Sequence, residues 1–144
     1  MAAIGRSGAW PVLLLFCHAA IGQTGQSANV RRCIGSVATA LTAGDPADAM
    51  SNFDKSFSGY EKLNSYFAAL TNSFELGNEI DVTDEQDSAT ETKLTVHWVL
   101  SLTGLQNRHA ENRSGDLNIR LVRKGGKWKI VDFSPLDLFN PTAR

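Results

Sequence analysis

The stretch RKGGKWKIVDF, Arg123 to Phe133, holds the carboxylate best suited by its surroundings to do chemistry. A two-residue Gly125-Gly126 turn between two extended runs is a strong hairpin signal, because both turn positions need positive φ. The turn implies a register in which Lys124 faces Lys127, Arg123 faces Trp128, Leu121 faces Ile130 and Ile119 faces Asp132. Directly opposed residues share a face, so Asp132 is expected in an apolar inner row. A carboxylate there must be paired, hydrogen-bonded or protonated, and burial drives its pKa upward. Such an environment can make a general acid or base. Tyr60 and Tyr66 are the candidate hydroxyl partners. Two plainer readings stand beside this one: Asp132 ends its strand in water, or it is held structurally by an arginine or a backbone N–H.

Other chemistry finds less support. His97 and His109 do not stand at metal-ligand spacing from each other or from Cys33. His97 alternates outward with Thr95, which suits a surface or interface position. Glu75, Glu79, Asp81, Asp84, Glu85, Asp87 and Glu91 follow one another with no Lys or Arg between them. They lack the central glycine and regular spacing of a calcium loop and read as a solvated hairpin. No G-x-S-x-G element is present. No metal or cofactor is expected. Cys33 shares one side of a helical wheel with Val30, Ile34, Val37 and Leu41, which reads as a buried, inert thiol.

The elements that must position these groups fall in a simple order. A polar lead-in over Gln23 to Asn29 precedes a helix from about Val30 to Ala43, stopped by Gly44. Asp45-Pro46 places an N-cap and a first-turn proline for a short helix ending near Phe53. Ser58 and Glu61 have capping-box spacing. Tyr60, Leu63, Phe67, Leu70 and Phe74 then recur as one helical stripe. After Phe74 the period becomes 2. Inner rows are expected at Leu76, Ile80 and Val82, at Leu94, Val96, Trp98, Leu100 and Leu102, and at Leu117, Ile119 and Leu121, with Trp128, Ile130 and Asp132 completing the sheet. Three helices followed by four antiparallel strands, each with one apolar face, make an α+β domain. The expected architecture is N-terminal helices packed on a curved four-stranded or slightly larger antiparallel sheet. They form a conical barrel that encloses a cavity. Val99, Val122, Val131 and Phe133 are expected on the outer sheet face, a cluster that suits a homodimer contact.

The chain of 144 residues suits one domain, and 42% hydrophobic residues suffice for a core. With 14 basic against 15 acidic residues, bulk electrostatics does not favour a nucleic-acid partner. The run AWPVLLLFC, Ala9 to Cys17, is too short for a membrane span and suits the core of a signal peptide. AIG, Ala20 to Gly22, supplies small residues where a signal peptidase reads. The expectation is a signal peptide over residues 1–22 and a single domain over 23–144, with its core at about 30–141. The mature protein would be periplasmic or secreted, with no stable membrane span.

Three segments carry a family resemblance: ALTAGDPADAMSNF, GYEKLNSYFAAL and LVRKGGKWKIVDFS, the last with a Gly-x-Trp-x-Ile pattern. Together they make the chain resemble the nuclear transport factor 2-like superfamily, in its polyketide-cyclase-like and ketosteroid-isomerase-like branch. The resemblance implies a conical α+β barrel open at one end, often dimeric through its sheet. It also implies a function drawn from isomerases, cyclases, dehydratases and binding or assembly domains. Three functions are therefore carried forward. One is an exported domain binding a small, mostly apolar molecule in a cavity lined by Tyr60, Tyr66, Phe67, Trp98, Trp128 and Asp132. The second is an isomerase, cyclase or dehydratase with Asp132 as general base. The third is a non-catalytic dimeric interaction module whose cone is filled by its own side chains.

Overall fold

The computed structural model describes residues 10–142, with side chains from residue 25 onward. Of the expected signal segment, residues 1–9 lie outside the described residues, and residues 10–24 are described only as helical backbone. The element order is α1 (Trp10–Thr42), α2 (Pro46–Met50), α3 (Tyr60–Ser73), β1 (Phe74–Asp87), β2 (Glu91–Gly104), β3 (Ala110–Lys124), β4 (Lys127–Ser134) and a closing 3-10 turn at Asp137–Phe139. The strands form an antiparallel meander in the order β1-β2-β3-β4, with the helices packed on one face. This is the expected α+β cone. No helix among the described residues is long and apolar enough to cross a membrane.

The helices begin and end largely where their chemistry directs. Asp45 caps α2 by accepting from the Asp48 amide at 3.0 Å, and Pro46 occupies its first turn. Gly44, at φ 78°, ends α1. Three boundaries differ from expectation, the first being that α2 ends at Met50 rather than near Phe53. Residues 23–29 are helical, and Gln26 and Ser27 find partners on the β1–β2 hairpin. Gln26 Nε2 donates to the Ser88 carbonyl at 2.7 Å, and Ser27 Oγ donates to Glu85 Oε1 at 3.0 Å. The Ser58–Glu61 capping box does not form; α3 starts after Gly59, which makes no side-chain cap. The Phe57 ring presses so close that a Cβ at residue 59 would stand 2.8 Å from its Cζ.

Two β-bulges decide which side chains face the helices. On β1 the register shifts between Val82 and Asp84, leaving Thr83 extra; its hydroxyl donates to the Thr95 carbonyl at 3.1 Å. On β4 Val131 is the extra residue: Leu121 pairs Ile130, but Arg120 pairs Asp132 and Ile119 pairs Phe133. A bulge reverses the alternation beyond it and bends the strand. Glu85 therefore turns inward, Asp132 outward and Phe133 inward. The Gly125-Gly126 turn itself forms as expected, with φ of 57° and 81°.

Aromatic rings occupy the space between helices and sheet. Trp98, Phe67, Phe133 and Phe139 are fully buried, and Phe53 nearly so. Phe139, from the closing turn, meets Phe67 and Trp98 edge-on at 5.3 Å between centroids. Phe133 meets Phe53 at 5.2 Å in the same manner. This edge-to-face geometry suits the ring quadrupoles. Arg113, on the inner side of β3 opposite Leu100, holds the tail in place. Its guanidinium donates to the Leu138 and Asn140 carbonyls at 3.2 and 2.7 Å. The free edge of β4 is covered too: Ile130 and residues 52 and 54 exchange backbone hydrogen bonds at 2.8 and 2.9 Å.

Candidate functional site

Asp132 does not join the inner row. The Val131 bulge sets it opposite Arg120 on the outer face, with its side chain 54% exposed. Arg120 Nε donates to Asp132 Oδ2 at 2.8 Å, and Arg120 Nη1 donates to Glu91 Oε1 at 3.1 Å. The two carboxylates, Asp132 first, raise the guanidinium pKa further. An exposed, arginine-paired carboxylate on the side away from the helices has no access to the cone. The inner-row placement and the acid/base role built on it are corrected accordingly. Of the plainer readings, the arginine partner is the one found.

The other candidates separate into three places. Phe67 and Trp98 lie in the core, where Trp98 Nε1 donates to Asn78 Oδ1 at 2.9 Å. Tyr60 and Tyr66 pack half-buried at the edge of that core, on the helix side, with the Lys62 ammonium 5.9 Å from the Tyr66 ring centre. Trp128 is half-buried near the β3–β4 turn, and the Arg123 guanidinium lies 5.6 Å from its ring centre. Phe133 leaves the expected outer cluster for the core. Val99 and Val122 remain on the outer face.

The sequence reading missed a polar clasp between α1 and the acidic hairpin. The Thr83 bulge turns Glu85 inward, where it receives Ser27 and Arg31, the latter at 3.0 Å from Nη2. Its side chain is only 13% exposed. Burial works to raise the Glu85 pKa, but the hydrogen bonds from Arg31 and Ser27 outweigh it and hold it below the ordinary value. Its neighbour Asp87 shifts the other way. Burial raises it, and Glu85 adds to the rise against the opposing bond from Thr92 Oγ1 at 2.8 Å. Glu85 Oε2 is buried and accepts no hydrogen bond among the described residues. A proton on Asp87 would supply one. A charge-free run of Ser, Gln and Asn before Arg31 gave no warning of this contact; only the bulge creates it.

Elsewhere, the sites are quiet. His97 stands on the outer face as expected, with Nδ1 2.9 Å from Asp116 Oδ1. Burial pushes the Cys33 thiol up to about 11, against the pull of Lys129, and its sulfur lies 3.6 Å from the Trp128 carbonyl oxygen. A thiol so shifted is almost wholly protonated at neutral pH and a poor nucleophile. No group of three or more metal-ligating side chains occurs among the described residues. A shallow groove of about 440 Å³ on the outer face is lined by Asp84, Lys93, Thr95, Asn118, Arg120 and Asp132.

No family model matches the sequence, and no curated protein is similar to it in sequence. Many solved structures share its architecture. A conserved protein from Planctomyces limnophilus superposes with a TM-score of 0.73 at 10% identity, over 78% of this chain and 95% of that one. A ketosteroid isomerase-like protein from Erwinia carotovora atroseptica gives 0.60 at 12% identity, over 75% and 96%. A nuclear transport factor 2-like superfamily protein from Salmonella enterica serovar Typhimurium gives 0.61 at 11% identity, over 79% and 92%. The chain therefore has the nuclear transport factor 2-like cone fold that its closing hairpin and helix order resemble.

Proposed function

We propose that the chain is an exported, non-catalytic interaction module that pairs with a second copy through the outer face of its sheet. The observation that carries this reading is the filled cone. Phe53, Phe67, Trp98, Phe133 and Phe139 occupy the volume in which an apolar ligand would sit. The one carboxylate considered as a base lies on the other side of the sheet. The outer face itself supports a self-contact. It carries both signs in neighbouring rows, Lys93 and Arg120 beside Asp84 and Asp132, with Val99 and Val122 among them. A two-fold contact needs a surface complementary to itself, which a face of mixed charge provides. Export rests on the apolar run and small residues before Gln23.

Native mass spectrometry of the purified protein tests both parts together. The expected result is a dimer at tens of micromolar with no additional small-molecule mass. A monomer at that concentration overturns the pairing. A co-purifying apolar molecule whose removal lowers the melting temperature overturns the filled-cone reading and restores the ligand-binding one.

A further inference from the structure

A second groove lies on the helix side of the molecule, between α1 and the β3–β4 hairpin, and has a volume of about 480 Å³. Arg32 lines it from α1, and Lys127 and Lys129 line it from β4. No carboxylate lines it. Arg31, Arg108, Arg113, Arg120 and Lys124 each hold a carboxylate within 3.3 Å. Arg32, Lys127 and Lys129 form no ion pair among the described residues. Arg32 donates to the Asn29 side-chain carbonyl at 2.9 Å, and Lys129 donates to the Ser51 carbonyl at 2.6 Å. Each cation keeps further donors available.

The rest of the lining fits an organic anion. Ser36 and Asn52 add neutral hydrogen-bonding groups, and Trp128 supplies an aromatic wall. Arg123, on the ring of Trp128, adds a fourth positive charge nearby. The hairpin is closed by its two-glycine turn and joined to the segment after α2 by the Phe53–Ile130 bridge, so the cations lie along an anchored strand edge. A carboxylate offers one charge and two oxygens. A phosphate monoester offers close to two charges and three terminal oxygens, and it matches several cations from two elements better. A groove of this size also exceeds what an inorganic ion fills.

We infer that the groove between α1 and the β3–β4 hairpin binds a phosphate monoester, with Arg32, Lys127 and Lys129 holding the phosphate and Trp128 packing against the organic part. The phosphate could belong to a soluble ester or to a lipid headgroup, and the two are separable by experiment. Phenyl phosphate titrated calorimetrically into the full chain should bind, and binding should weaken about tenfold or more in R32Q/K127Q. Neither residue supports the core, and R108Q, which changes a distant cation paired with Glu75, should bind as the parent does. Co-sedimentation with phosphatidylcholine vesicles containing phosphatidic acid, lost in R32Q/K127Q, would identify a headgroup as the source. Binding of phenyl phosphate without vesicle binding would identify a soluble ester. The inference is overturned if neither probe binds, if R32Q/K127Q binds as well as the parent, or if phenylacetate binds as tightly as phenyl phosphate.

Discussion

Adjacent residues on β4 have opposite energetics because one bulge residue separates them from the glycine turn. Phe133 is 1% exposed and touches three other rings, while Asp132 points outward into an exposed ion pair. Truncating a buried phenylalanine removes its transfer free energy and leaves a cavity, about 3–5 kcal/mol in sum. An exposed ion pair contributes about 1 kcal/mol or less. Phe133→Ala should therefore lose about 3–5 kcal/mol in urea denaturation, and Asp132→Asn less than about 1 kcal/mol. A loss below about 1 kcal/mol from Phe133→Ala together with the larger loss from Asp132→Asn would mean that Asp132 is the inward residue. The turn was read correctly from Gly125 and Gly126, and so was the pairing as far as Ile130. Beyond it, the inference failed because nothing about a valine marks it as a bulge: side-chain types report the pleat, whereas an extra residue is paid for by strand curvature across the whole sheet.

At the level of the element, the same limit hid the clasp on α1. Helix stripes, the Asp45 cap and strand faces up to Val82 follow from residue types, because burial repeats at 3.6 or 2 residues and the cap has its own side-chain chemistry. Past Thr83 the parity changes, and an acidic run expected in water brings Glu85 against α1. The clasp has a pH signature. Glu85 has a folded pKa below its ordinary value, so its contribution is present above the usual glutamate range and is lost as pH falls through the folded value. Asp87 has a folded pKa above its ordinary value, so its ionisation opposes folding once pH rises through that value. Asp87→Asn should then stabilise the protein at pH 7 by a few tenths to about 1 kcal/mol, the scale of partly exposed charge interactions. The asparagine can still accept from Thr92 and can donate to Glu85 Oε2. The gain should shrink toward zero below about pH 4, where an ordinary aspartate is protonated in both states. Urea denaturation at pH 7 and pH 3 measures this. A loss of stability at pH 7 would show that the carboxylate of Asp87 is needed in its charged form.

At the scale of the whole molecule, the cone is closed at one end by its own tail and braced along one side by α1. The brace is made by a defined portion of that helix. Gln26, Ser27 and Arg31 bind the hairpin, and Val30, Ile34, Val37 and Leu41 enter the core. All of these lie after Gln23. Export with cleavage near that residue would leave these contacts intact, and the exported protein should have an intact mass corresponding to a chain that begins at or near Gln23. A chain expressed from Gln23 should melt within a few degrees of the full chain. A chain expressed from Ile34 would lose the Glu85 partners and the fully buried Val30, whose burial alone is worth about 1.5–3 kcal/mol. With each kcal/mol worth roughly 2–8 °C for domains of this size range, its melting temperature should fall by about ten degrees or more. An exported protein that retains residues 1–22 would remove the signal peptide from the proposal. A Gln23 chain that melts as low as the Ile34 chain would instead show that the first turns of α1 are part of the folded domain.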